Sequence, residues 1–100
     1  MLVELNNENF NEEIEKGVKL VEFYTPWCGY CKKQLQELEE MDKVWIGQVD
    51  ADKETSISAK YNVNSFPTFI VMKDGREAER FSGMRKKEFL MDCIMKHLSH

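Results

Sequence analysis

The sequence predicts an α/β domain in which a central mixed sheet of about five strands is flanked by about four helices. Three observations point there. Short apolar runs alternate with segments of helical period in the order β-α-β-α-β-α-β-β-α, which calls for helices on both faces of a mixed sheet. The last two strands are joined through Lys73-Asp74-Gly75-Arg76, where Asp-Gly suits the positive φ values of a tight hairpin turn. The 100 residues, 42% hydrophobic and 32% charged, are enough to bury one core without disulfide staples and predict a single domain over residues 1–100.

Leu2 to Leu5 is a short apolar segment, suited to an edge strand. Asn6, Asn7 and Asn9 offer helix caps to an acidic helix framed by Phe10, Ile14 and Gly17. Val18-Lys19-Leu20-Val21-Glu22-Phe23-Tyr24 reads as a buried strand stopped by Pro26. A helix follows, in which Cys31, Leu35, Leu38 and Met41 recur at spacings of three and four. Val44 to Val49 is the next strand, and Asp52 is placed to cap a short helix carrying Ile57, Ala59 and Tyr61. Thr68 to Met72 and Glu77 to Phe81 form the hairpin. The chain closes with a helix from about Lys86 to Leu98, its apolar side including Phe89, Leu90, Ile94 and Leu98.

Charge and cysteine usage exclude several classes of function. A net charge of −4 argues against nucleic acid or an anionic membrane as the main partner. No apolar run approaches the roughly 18–20 residues needed to span a bilayer. The first residues, Met1-Leu2-Val3-Glu4-Leu5, have neither the basic start nor the sustained apolar core of a secretory signal. Three cysteines are too few, and odd in number, for a disulfide scaffold. The expected home is a reducing cytoplasm.

The chemistry gathers at Trp27-Cys28-Gly29-Tyr30-Cys31, where a strand hands over to a helix. A helix N-terminus presents free N–H groups and the positive end of the macrodipole, which both favour a thiolate. Residues three apart on a helix have Cβ atoms about 5–6 Å apart, near enough for small adjustments to permit a disulfide. Cys28, ahead of the helix, is expected to be the exposed nucleophile. Cys31, one turn in, is expected to be sheltered and to resolve a mixed disulfide. Glu22, an acid inside an apolar strand, then has a purpose: a buried carboxyl with a raised pKa can exchange a proton with Cys31 near neutral pH.

Val21 to Lys33 resembles the active site of the thioredoxin superfamily, and the resemblance runs along nearly the whole chain. Its WCxxC motif is matched by Trp27-Cys28-Gly29-Tyr30-Cys31 and its cis-proline loop by Ser65-Phe66-Pro67-Thr68. Its hairpin turn is matched by Asp74-Gly75, and its late groove glycine by Gly83. The resemblance implies a thioredoxin fold and thiol–disulfide oxidoreduction, with Cys28, Cys31 and Glu22 as the reacting groups. It also implies a substrate groove at Trp27, Gly29, Tyr30, Phe66, Pro67 and Gly83. An arbitrary X–Pro bond is cis only about 5–6% of the time, so the residues alone predict a trans Pro67. The resemblance implies a cis bond instead, exposing the Phe66 backbone to pair with an extended substrate chain. The implied partners are disulfide-containing proteins and a thioredoxin-reductase-type electron donor. The chain is expected to work as a monomer with no bound cofactor.

The chain also departs from thioredoxins proper. These usually carry Gly-Pro between the cysteines, and this chain has Gly29-Tyr30. Tyrosine restores an N–H near the Cys28 sulfur, which is expected to make the disulfide more oxidising than the Gly-Pro type. Glu22 stands where thioredoxins have Asp and protein disulfide isomerase domains have Glu, and the flanking sequence looks more like the isomerase site. Gln48 takes the place of a common Lys, so burial is expected to dominate at Glu22. Gln36 replaces the proline that commonly kinks the helix after Cys31, predicting a straighter and shorter helix.

The favoured function is reduction of protein disulfides. An oxidase or isomerase of the same fold is the alternative that Glu22 and Tyr30 leave open. A redox-inert or zinc-bound binding module is a further one. Cys93 and His97 form C-x₃-H, which together with Cys28 and Cys31 has the ligand types of a Cys₃His zinc site. Against it, Cys93 belongs to the apolar side of the last helix, which a thioredoxin fold holds away from Cys28. His97 and His100, near the chain end, are expected to be solvated. Trp27, Tyr30, Phe66 and Met84 can line an apolar rim around Cys28 for docking protein partners.

Overall fold

Val18–Tyr24 is the strand its apolar run predicts, here β2, and the sheet is built outward from it in the computed structural model, which describes residues 1–99. His100 lies outside the described residues. The remaining strands are β1 (Leu2–Leu5), β3 (Ile46–Asp50), β4 (Thr68–Lys73) and β5 (Arg76–Ser82). The helices are α1 (Phe10–Ile14), α2 (Gly29–Glu39), α3 (Thr55–Lys60) and α4 (Lys87–Leu98). The strand order is β1-β3-β2-β4-β5, so β1 lies at an edge as its short length suggested. β3 pairs in parallel with both β1 and β2; the chain crosses from β1 to β2 through α1 and from β2 to β3 through α2. β4 runs antiparallel to β2 and β5. The hairpin turn has φ of +50° at Asp74 and +85° at Gly75, as a two-residue turn of this kind demands.

Successive side chains on a strand point to opposite faces. On β2, Val21 and Phe23 enter a core with Phe10, Ile14 and Ile57, beneath α1 and α3. Leu20 faces the other way, into a core with Leu38, Phe69, Leu90 and Ile94, beneath α2 and α4. By the same alternation Glu22 points to the α2 side.

Register places the functional loops together. Phe23 pairs with Thr68, and Thr68 with Ser82. The residues just after β2, just before β4 and just after β5 therefore emerge at one end of the sheet. Those residues are Cys28, Pro67 and Gly83 with their neighbours.

Several expected details differ, each for a local reason. On α2, Leu35 is 37% exposed and Gln34 fully buried, because the Gln34 amide finds two backbone partners inside. On α4 the buried residues are Leu90, Cys93 and Ile94, while Phe89 and Leu98 are exposed. β3 begins at Ile46, two residues later than expected, because the Val44 N–H turns back to the Met41 carbonyl. The N-cap of α3 is Glu54, and Asp52 instead accepts a hydrogen bond from the Trp27 indole at 2.8 Å. Asn6 rather than Asn9 gathers the N–H groups ahead of α1, accepting from Glu8 and Asn9 at 2.8 and 2.9 Å. Among the described residues, no helix is long and apolar enough to cross a membrane.

Candidate active site

β2 ends at Tyr24, and Pro26 prevents the strand from continuing. Cys28 then takes the N-cap position of α2 in an extended conformation, φ −79° and ψ 117°. Its sulfur does what a Ser or Asp oxygen does at this position: it accepts the Cys31 N–H, at 3.2 Å. The Cys28 thiol faces the Phe66 carbonyl at 3.5 Å, across to the loop before β4. Both thiols are free.

Exposure does not separate the two sulfurs as expected, since Cys28 is 7% and Cys31 6% exposed. Their surroundings do. Cys28 lies between Trp27 and Tyr30, both about two-thirds exposed, and Trp27 meets Phe66 edge-on with ring centroids 6.3 Å apart. Cys31 lines a cavity of about 240 Å³ with Glu22, Thr25, Leu35 and Gln48. Burial first, then a hydrogen bond to Cys28, then the charges of Cys28 and Glu22, push the Cys31 thiol well up. At neutral pH Cys31 therefore holds its proton unless a base removes it.

Glu22 presents a carboxyl to the same cavity. It is 1% exposed, and its Oε1 accepts a hydrogen bond from Gln48 Nε2 at 3.0 Å. Among the described residues its Oε2 has no hydrogen-bond partner, and neither has the neighbouring Thr25 hydroxyl. Burial raises the Glu22 pKa to about 7, with the Gln48 bond opposing and the charge of Glu4 adding to the rise. Burial dominates, as the neutral residue at position 48 led one to expect. A carboxyl that titrates near 7 can both take and return a proton in neutral solution.

The residues expected to form a groove emerge at the same end of the sheet. The Phe66–Pro67 bond is cis. The Pro67 carbonyl accepts the Gly83 N–H at 2.8 Å, and Gly83 has φ of +93°, a conformation that favours glycine. A side chain at Gly29 would meet nothing within 4 Å, so the surface beside Tyr30 is open. Among the described residues the N–H that meets the Cys28 sulfur is that of Cys31, not the Tyr30 N–H expected there.

Cys93 and His97 are not drawn into this site. Cys93 packs in the core beneath α2 and α4, and His97 Nε2 lies 2.8 Å from Glu79. Among the described residues no group of three or more His, Cys, Asp or Glu side chains is arranged to hold a metal ion. The sequence reading missed Gln34, whose signal was its place in a row with Cys31, Leu38 and Met41. It also missed Asp52 as the partner of Trp27, for which the sequence carries no signal.

The family model described as Thioredoxin matches residues 1–96. The chain belongs to the thioredoxin family. A thioredoxin of Staphylococcus haemolyticus is 41% identical over 102 aligned positions, covering 97% of this chain and 98% of that protein. The crystal structure of Fasciola hepatica thioredoxin is 34% identical with a TM-score of 0.78, covering 90% of this chain and 89% of that one. A mutant thioredoxin from Halobacterium salinarum, 22% identical, superposes with a TM-score of 0.89 over 97% of this chain and 90% of that one, a likeness of fold. The chain has the thioredoxin fold and is a thiol–disulfide oxidoreductase, a protein-disulfide reductase. Thioredoxins as a family act on disulfide substrates and are reduced by thioredoxin reductase.

Proposed function

We propose that Cys28 and Cys31 are the redox pair of this reductase and that Glu22 is its proton acceptor. The Cys28 thiolate attacks a substrate disulfide, forming a mixed disulfide and releasing one substrate thiolate, which takes up a proton. Glu22 takes the Cys31 proton through water in the shared cavity, and the Cys31 thiolate attacks the Cys28 sulfur. The second substrate thiolate leaves, and the enzyme holds a Cys28–Cys31 disulfide. Two electrons have passed to the substrate, and a thioredoxin-reductase-type donor returns them. Trp27, Gly29, Tyr30, Phe66, Pro67 and Gly83 form the docking groove, an extended substrate chain pairing with the Phe66 backbone.

The observation that supports this most is the Cys28 sulfur at the N-cap of α2, held by the Cys31 N–H and facing Phe66. We place the activity in a reducing cytoplasm, in a one-domain monomer that contributes to electron transport and redox homeostasis. Cysteine usage unsuited to a disulfide scaffold supports the compartment. The test is turnover of a disulfide-bonded protein by three variants. Cys28→Ser and Cys31→Ser are each expected to abolish turnover, and Cys93→Ser to leave it unchanged. Sustained turnover by Cys28→Ser would rule the assignment out.

A further inference from the structure

Gln34 is fully buried on α2, one turn beyond Cys31, where an apolar residue would fill the space at no polar cost. Both halves of its amide are used. Nε2 donates to the Arg85 carbonyl at 2.8 Å, and Oε1 accepts the Arg85 N–H at 2.7 Å. A two-point bond of this kind fixes direction as well as distance. The next polar residues on that side of the helix act alike: Glu37 accepts the Lys87 N–H at 2.8 Å, and Glu40 pairs with the Lys87 ammonium. The segment after β5 is thus gripped along its length by the helix that carries the cysteines.

The same segment forms one wall of the groove. Gly83 is bonded to Pro67, and Arg85 lies over the rings of Phe81 and Phe89 at 5.3 and 5.1 Å. Phe66 faces Cys28. Hydrogen bonds therefore run in a closed circuit: α2 to the Phe66–Pro67 loop, that loop to Gly83, and Arg85 back to α2. Gln34 supplies the closing link.

We propose that Gln34 is a positioning residue for protein-substrate recognition, its amide latching the Gly83–Arg85 wall of the groove onto the helix that carries Cys28 and Cys31. The inference rests on the groove reading given above. An extended polypeptide must touch both walls at once, whereas a small disulfide needs only the Cys28 sulfur. Both amide hydrogen bonds of Gln34 go to the Arg85 backbone, so its loss falls on binding rather than on thiol chemistry.

The experiment is steady-state reduction of a disulfide-bonded protein and of a small aromatic disulfide, 5,5′-dithiobis(2-nitrobenzoate), by the full chain and by Gln34→Leu and Gln34→Met. The KM for the protein is expected to rise about fivefold, the loss of roughly one hydrogen bond's worth of uniform binding. Its kcat, and the rate with the small disulfide, are expected to stay unchanged. An unchanged KM, or an equal fall in both rates, overturns the proposal. Should neither variant fold, amide exchange of the unsubstituted chain decides: an Arg85 N–H as protected as those of α2 supports the latch, and one exchanging like an open loop overturns it. Failure of the underlying redox reading shows separately, as a Cys28→Ser variant that still reduces the small disulfide.

Discussion

Glu22 carries a cost that can be measured apart from catalysis. Its carboxyl is neutral in folded and unfolded chains alike well below pH 4.5, so it contributes no pH dependence there. Between 4.5 and about 7 the folded state holds the proton and the unfolded state releases it, so stability falls as pH rises. Above about 7 the full cost is present, about 3 kcal/mol at roughly 1.4 kcal/mol per pH unit. Glu22→Gln is therefore expected to stabilise the fold by about 2–3 kcal/mol at pH 8 and to change little at pH 4, as read by urea unfolding at the two values. Equal effects at both pH values would contradict the buried, late-titrating carboxyl. In catalysis the same variant is expected to slow release of a preformed mixed disulfide by about tenfold at pH 8. That is less than the ~10²–10⁴ typical of a lost general base, because cavity water can take the proton instead. The wild-type release rate is expected to fall below pH 7 as Glu22 protonates, and that inflection to vanish in the variant. At this scale much was legible in the sequence. An acid inside an apolar strand and two cysteines three apart announce chemistry by type and spacing alone. What stayed hidden was mutual burial. Nothing in the order of residues says that Cys28 is as buried as Cys31, because the loop that meets its sulfur, at Phe66, lies 38 residues further along the chain.

Among the elements, β3 shows how tightly one residue can be fitted. It is the strand between β1 and β2, and Gly47 sits beneath the side chains of Leu5 and Trp45. A Cβ at Gly47 would lie 2.5 Å from Leu5 Cδ1 and 2.7 Å from the Trp45 ring. Leu5 is 1% exposed and has no room to retreat. Trp45 is itself held beneath the Lys19 ammonium, 4.8 Å from its ring. Gly47→Ala is expected to cost about 1–3 kcal/mol, the range for overpacking a filled core, measured by denaturant unfolding. A loss under about 0.5 kcal/mol, typical of open surface positions, would contradict the fit. The strands were the legible elements because their apolar runs are short and bounded by turn residues. The faces of the helices were less so. Leu35 and Gln34 both satisfy a spacing of three to four from Cys31 or Leu38, and hydrophobicity alone chose Leu35. The structure buries Gln34 instead because Arg85, 51 residues away, offers its amide two partners.

For the whole molecule, the arrangement that matters is the meeting of three chain segments at one end of the sheet. The hairpin of β4 and β5 could be read from Asp74-Gly75, since that turn is local. The antiparallel pairing of β2 with β4 could not, because no short connection joins them. Yet that register, Phe23 against Thr68, brings the Phe66 carbonyl to the Cys28 thiol, where the proposed groove lies. Sheet topology and thiol chemistry thus make one claim, that the sulfur facing the groove is the one that meets the substrate. The most direct measurement of it is to incubate Cys31→Ser with a disulfide-bonded protein and map the trapped intermolecular disulfide by peptide mass. The expected linkage is on Cys28, with Cys93 unmodified until the chain is unfolded. A linkage on Cys93, or no trapped species while the unsubstituted chain turns over the same substrate, would contradict it.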